Sequence, residues 1–284
     1  MAFSIQNLIP ARFRRDWPIV PIVKLSGVIG APAGGMFRGG GLSLDAVEAA
    51  LAKAFGVERA TAVAIVVNSP GGAAVQSHLI FKRIRALAEM KGRKVIVAVE
   101  DVAASGGYMI AAAGDEIVVD GSSIVGSIGV VSSGFGFQRL LERIGIERRV
   151  HTAGKSKAML DPFRPEREED VARLKTLQED VHADFIALVK RRRPSLTDDP
   201  DLFSGAFWSG ARAVELGLAD RVGDIGALLR ERYGENVHLL SIPTERKPWW
   251  RRIGLFSGES LTVGLVDRAV SAIEERIMWN RFGL

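Results

Sequence analysis

The chain contains no cysteine in 284 residues. That excludes a disulfide-stapled fold, a thiolate zinc site and a cysteine nucleophile, and it is consistent with a reducing compartment. No stretch reaches the roughly 18 apolar residues that spanning a bilayer requires. Met1 to Trp17 also lacks the continuous apolar core and small-residue cleavage site of a secretory signal. The expectation is a soluble or peripheral protein on the cytoplasmic side. Histidine is scarce: the four are His78, His151, His182 and His238. None stands beside an Asp or Glu in a triad-like context, and only His151 falls near a turn in the central region. There is no internal repeat and no low-complexity segment. No basic run interleaves with aromatics as nucleic-acid binding would require, so no nucleic acid is expected as partner.

What is present is ordinary for a globular protein: 47% hydrophobic and 25% charged residues, enough for one large core with appendages. The net charge of +5 sits in short clusters: Arg12, Arg14 and Arg15; Lys190 to Arg193; and Arg246, Lys247, Arg251 and Arg252. Around the last cluster stand Trp249, Trp250, Ile253, Leu255 and Phe256. Aromatic and basic residues together fit either the interface of an anionic membrane or the face of a neighbouring subunit.

Residues 1–18 form a basic lead-in, 19–243 one α/β domain, and 244–284 a basic, aromatic linker followed by an amphipathic helix over Leu261 to Trp279. Ile19 to Leu25 is strand-like. Ser43 to Phe55 has helical periodicity, with Ser43 as N-cap. Ala62 to Val67 and Val95 to Val99 are short, β-branched and bounded by turn residues, as buried strands are. Helices are expected over Val75 to Met90 and Ala104 to Ala113, and a strand over Glu116 to Val119. A short helix at Arg139 to Ile144 and an extended run at Glu147 to Ala153 follow. Glu166 to Arg193 carries acids in its early turns and bases in its last, as a long helix prefers. Trp208 to Leu216 and Asp224 to Tyr233 complete the helices. Strands alternating with helices predict a parallel sheet covered by helices.

Two passages carry possible chemistry. Val63 to Gly72 reads V-A-I-V-V-N-S-P-G-G, and Ala103 to Ala112 reads A-A-S-G-G-Y-M-I-A-A. Each ends a strand, or follows one, with small residues where a helix begins. Ser105 near a helix start is placed either to cap that helix or to act as a nucleophile. The Gly71–Gly72 turn either connects strand to helix or presents free N–H groups to an oxyanion. A serine nucleophile needs a base. With no histidine clearly placed, a lysine kept neutral by burial is the alternative, and Lys157 and Lys155 are the candidates.

V-N-S-P-G-G, A-A-S-G-G-Y-M-I-A, G-S-I-G-V (Gly126 to Val130), G-K-S-K (Gly154 to Lys157) and F-S-G-A-F-W-S-G-A-R-A-V-E-L-G-L-A-D (Phe203 to Asp220) follow one another in order. Together they resemble the signal peptide peptidase A, or protease IV, family of serine peptidases, family S49, over about residues 20 to 240. The resemblance implies an α/β Clp protease/crotonase-like fold of repeated β-β-α units and a ring-like homo-oligomer. It implies peptide or unfolded protein as substrate, hydrolysed by a Ser–Lys dyad with no cofactor and no metal. On the matching positions Ser105 is the nucleophile, Lys157 the general base, Gly72 the oxyanion donor, and Ser127 the serine that holds the lysine amine. Such a lysine has to be desolvated, and a hydroxyl partner orients it without adding charge. In the family the serine and lysine can come from neighbouring subunits, so assembly is expected here. Small or apolar groove residues, near Ala73 to Val75, Tyr108 and Val130 to Ser133, imply small or hydrophobic side chains before the scissile bond.

The chain departs from the family pattern in three respects. The expectation is a chain without the N-terminal membrane anchor that many members carry and with one peptidase module where the long form has two in tandem, and residues 244–284 match nothing in the pattern. Trp249, Trp250, Arg251 and Arg252 are the candidates to replace the anchor by peripheral membrane contact. Two other classes compete. An acyl-CoA enzyme of the crotonase type would require catalytic acids near the site and an adenine pocket. A silent membrane scaffold would leave Ser105 dispensable.

Overall fold

The computed structural model describes residues 17–30, 41–244 and 276–284. The basic lead-in, the linker with Trp249, Trp250, Arg251 and Arg252, and most of the helix expected over Leu261 to Trp279 therefore lie outside the described residues.

The first three strands are Ile19–Ser26 (β1), Ala62–Ser69 (β2) and Lys94–Ala104 (β3). The helices between them are Leu44–Phe55 (α1) and Ala74–Lys91 (α2). Gly106–Ala111 (α3), Glu116–Val119 (β4) and Ile124–Gly126 (β5) follow. The second half holds Gln138–Arg143 (α4), Glu168–Arg192 (α5), Phe207–Ser209 (β6) and Gly210–Glu215 (α6). It closes with Arg221–Val222 (β7), Ile225–Tyr233 (α7) and His238–Ile242 (β8).

The strands form one sheet in the order β6-β5-β3-β2-β1-β8, with β4 joined to β3 and β7. Every pairing is parallel except β5 with β6. This is the expected α/β class, a mostly parallel sheet covered by helices. β2 is buried on both faces, which is why it reads as a continuous apolar run rather than an alternating one. The main core lies on the face covered by α1, α2, α3 and α5. The opposite face of the sheet carries a smaller cluster built on Val20, Ala62, Ala64 and Ile96 and closed by Leu228 and Leu229 of α7.

Local chemistry accounts for most boundaries. The Ser43 hydroxyl accepts the Ala46 N–H at 3.4 Å, and the Asp224 carboxylate accepts the Ala227 N–H at 2.7 Å, capping α1 and α7. Gly92 ends α2 in the left-handed conformation, φ 59°.

Several expectations need correction. Strand β3 runs to Ala104 rather than stopping at Val99. Its first half pairs with β4, and its second half, Val102 to Ala104, pairs with β5. The helix expected over Ala104 to Ala113 shrinks to six residues for the same reason. The first residues of the helix expected at Trp208 form β6 instead, because β5 offers them an antiparallel edge. Glu147 to Ala153 belongs to no strand.

Candidate active site

Ser105 occupies the turn between β3 and α3 with φ 53° and ψ −120°. L residues rarely adopt that conformation, and it persists only where the surroundings over-determine it. Here the Ser105 N–H donates to Gly126 O at 2.8 Å, and its carbonyl accepts the Met109 N–H at 3.0 Å. The hydroxyl caps no helix N–H, so the capping role is ruled out. A half-buried hydroxyl on a sharp strand-to-helix turn is the geometry that exposes a nucleophile at the end of a sheet.

The Pro70–Gly71–Gly72 turn lies directly against it. A Cβ built on Gly71 would come 2.8 Å from the Ser105 Cβ. Gly72 has φ +141°, and a Cβ there would fall 1.9 Å from Ile29 O. Ile29 zips onto this turn: its N–H donates to Gly71 O and its carbonyl accepts the Ala73 N–H, each at 2.8 Å. The alternation leaves the Gly72 N–H with no partner among the described residues. The N-terminus of α2 follows at once, with no side-chain cap, so its positive end lies beside that free donor. α3 approaches the end of β2 so closely that a Cβ on Gly107 would meet Ser69 O at 2.4 Å. The two small-residue turns thus sit side by side because the glycines permit the contact.

Ser127 follows β5 with φ 54°, and it is only 4% exposed. Its N–H donates to Ala206 O at 2.6 Å. The parallel register places Ala104 opposite Gly126, so Ser105 and Ser127 are the next residues of adjacent strands.

Lys157 lies elsewhere in kind. It is exposed, in a turn where its N–H donates to Gly154 O at 3.2 Å. No hydrogen bond joins its amine to Ser105, to Ser127 or to any other described residue. Lys155 and His151 are exposed in the same stretch. The desolvation expected of a lysine base is not formed within one chain. The other histidines have structural surroundings: His182 contacts Ile128 O through Nε2 at 3.1 Å, and burial together with Lys82 lowers the pKa of His78. Among the described residues no histidine is ion-paired to a carboxylate. Tyr108, expected at the groove, is fully buried; its hydroxyl donates to Leu218 O at 2.8 Å, and burial pushes its pKa up. Val75 and Val131, expected in the same groove, are exposed.

The sequence-based expectation missed β5 as a strand. At three residues, Ile124 to Gly126 is too short for periodicity to register. It also missed what the last motif does. Asp220 binds Arg193 through both carboxylate oxygens, at 2.7 and 2.9 Å, and accepts the Ile117 N–H at 2.7 Å. Gly217 O takes Arg193 Nε at 2.9 Å. L-G-L-A-D is therefore a lock that fastens α5, β4 and α3 behind the site.

A strained serine beside an unpaired N–H at a helix start is an arrangement suited to acyl transfer. The comparisons place the chain more closely. A model of Peptidase family S49 matches residues 88–235. The chain belongs to peptidase family S49. A Synechocystis sp. protein whose name assigns it to the proteases is 31% identical over 230 residues, covering 78% of this chain and 80% of that one. The chloroplast serine protease SPPA of Arabidopsis thaliana is 31% identical over 229 residues, covering 76% of this chain and 32% of its own length. A Brucella abortus protein named as a Na(+)/H(+) antiporter is 52% identical over 288 residues, covering 99% of this chain. The chain spans only 39% of that relative's length.

Proposed function

We propose that the chain is a serine endopeptidase in which Ser105 is the nucleophile and Lys157 the general base. The single observation that carries this is the contact between the strained Ser105 turn and the Gly71–Gly72 turn with its free N–H. The neutral Lys157 amine takes the Oγ proton as Oγ bonds to the scissile carbonyl carbon. The oxyanion so formed accepts the Gly72 N–H. As the C–N bond breaks, the lysine ammonium returns its proton to the leaving amine. Water then attacks the ester carbonyl as it gives one proton to Lys157; the C–Oγ bond breaks, Oγ takes that proton back, and the acid, Ser105 and the neutral amine are released. Ser127 orients the amine without adding charge. A crotonase-type acyl-CoA enzyme would also use the Gly72 N–H, but it gives the Ser105 strain no purpose.

The substrate is a peptide or an unfolded protein segment. Exposed Val75 and Val131 favour small or hydrophobic side chains before the scissile bond. Because the Lys157 amine is exposed and unpartnered in one chain, we infer that a homo-oligomer completes the site by bringing a lysine from a neighbouring copy. The 129–167 segment suits that contact: α4 buries no residue, and Val131, Phe135, Leu140, Ile144 and Ile146 are exposed. Among the described residues no helix is long and apolar enough to cross a membrane. Peripheral contact through Trp249, Trp250, Arg251 and Arg252, on the cytoplasmic side, is the proposed attachment. It is supported by the occurrence of the whole stretch inside longer chains named as antiporters.

The test is cleavage of casein or a peptide library by the wild type, Ser105→Ala and Lys157→Ala over a range of pH. Loss of cleavage in both variants, with the wild type active, is the expected result. Retained cleavage in Lys157→Ala would move the base to Lys155 or His151.

A further inference from the structure

Residues 276–284 return to the sheet. Phe282 is 8% exposed and packs with Trp279 on Val102, Ala104 and Ile124, a cluster separate from the two larger ones. Its ring meets Phe207 edge-on, with centroids 5.2 Å apart. The residues covered are the ends of the strands that carry the site. Ala104 immediately precedes Ser105. Phe207 pairs with Gly126, whose carbonyl holds the Ser105 N–H. Ala206, the residue before Phe207, supplies the carbonyl that holds the Ser127 N–H. Side chains alternate along a strand. Ala103 and Val125 accordingly face the main core, whereas Val102, Ala104 and Ile124 face the aromatic hook.

We propose that Phe282, seated beside Trp279, is a positioning residue that clamps the ends of β3, β5 and β6 and so fixes the backbone of Ser105 and Ser127. Both serines have positive φ, 53° and 54°. Such conformations relax unless packing holds them from more than one side. The main core holds the strand ends from one face, and the hook holds them from the other. A bulky ring reaching both Phe207 and the strip ahead of Ser105 spans the two carbonyl partners at once. The effect on catalysis rests on the proposed peptidase reading; the effect on the backbone does not.

The experiment compares wild type, Phe282→Ala and Phe282→Leu by amide hydrogen exchange and by peptide hydrolysis. In Phe282→Ala the Ser105 and Ser127 amides should exchange about tenfold faster or more, while amides at the centre of β1 and β2 keep their wild-type rates. The same variant should lose about tenfold in kcat with KM within about twofold, as expected when the reacting geometry rather than binding is disturbed. Phe282→Leu should recover most of both effects. Unchanged exchange at Ser105 and Ser127 overturns the proposal, as does acceleration spread evenly over the sheet. Exchange that changes as described in a protein that cleaves nothing leaves the clamp standing and removes the peptidase reading.

Discussion

Ser105 stands between β3 and α3, beside β5 and the Gly71–Gly72 turn ahead of α2, and every residue from Val102 to Ala104 and from Gly106 to Ala111 is buried. Lys157 stands on a 129–167 segment that joins no strand of the sheet and whose one helix buries nothing. The segment is not shapeless. Phe137 and Phe163 stack with centroids 5.7 Å apart, Arg148 lies 4.7 Å over the Phe163 ring, and Asp161 pairs with Arg148. It is held by its own contacts, while the Ser105 turn is held by the main core. The contrast teaches that the fold fixes Ser105 and the Gly72 N–H in advance; on the proposed reading, the base is left to a second surface. An exposed apolar stripe on the segment that carries Lys157 is what the proposed division of labour requires.

The largest effect is expected on the fixed side. Ser105→Ala should lower peptide hydrolysis by about 10⁴-fold or more, since removing a nucleophile removes covalent catalysis altogether. Gly72→Ala should lose about 10²- to 10³-fold through the displaced oxyanion donor. It should also lower the thermal midpoint, because its Cβ would lie 1.9 Å from Ile29 O. Both are read by steady-state kinetics beside a melting curve.

On the other side the effect should depend on assembly. Introducing Val131→Asp and Phe135→Asp together should dissociate the oligomer and abolish activity, with the melting midpoint of the separated chain little changed. Both residues are more than two-thirds exposed, at 74% and 79%. Sedimentation together with kinetics checks this, and an intact assembly in the double variant would count against the stripe as the contact.

Smaller effects sharpen the same contrast. Tyr108→Phe removes a buried hydrogen bond and leaves Leu218 O unsatisfied, which should cost about 1–2 kcal/mol in urea unfolding. Asp161→Asn should leave global stability nearly untouched and loosen only the 129–167 segment, seen as faster limited proteolysis there. The Arg148 hydrogen bond holds the Asp161 carboxyl below its ordinary range. A carboxylate whose folded pKa is depressed contributes stability above its unfolded value, near pH 3.9, and loses it as pH falls through the lower folded value. Acid should therefore loosen the wild-type segment below about pH 4 and change Asp161→Asn much less.

The fixed half was largely legible in the sequence. The buried strands announced themselves as β-branched runs, and the two small-residue turns at Gly71–Gly72 and Ser105 stood out as places where helices begin. Ser43 read as a cap because capping is local chemistry. What could not be read was non-local. β5 is three residues long and exists because β3 and β6 flank it. Tyr108 looks like a groove residue in sequence and is buried, because Leu218, 110 positions away, offers its carbonyl. Whether Ser105 caps or reacts was undecidable locally, since both uses place serine before a helix; its positive φ and uncommitted hydroxyl decide against the cap. The exposure of Lys157 was beyond sequence altogether, because it depends on what one chain leaves uncovered.

The most direct test of the central claim, a site whose serine is fixed in one chain and whose lysine comes from another, is to mix Ser105→Ala with Lys157→Ala. Each variant alone should be inactive. Co-assembled, the pair should recover a fraction of wild-type peptide hydrolysis that tracks the number of interfaces pairing an intact Ser105 with an intact Lys157. Mixed oligomers of confirmed composition that remain as inactive as either variant alone would contradict it.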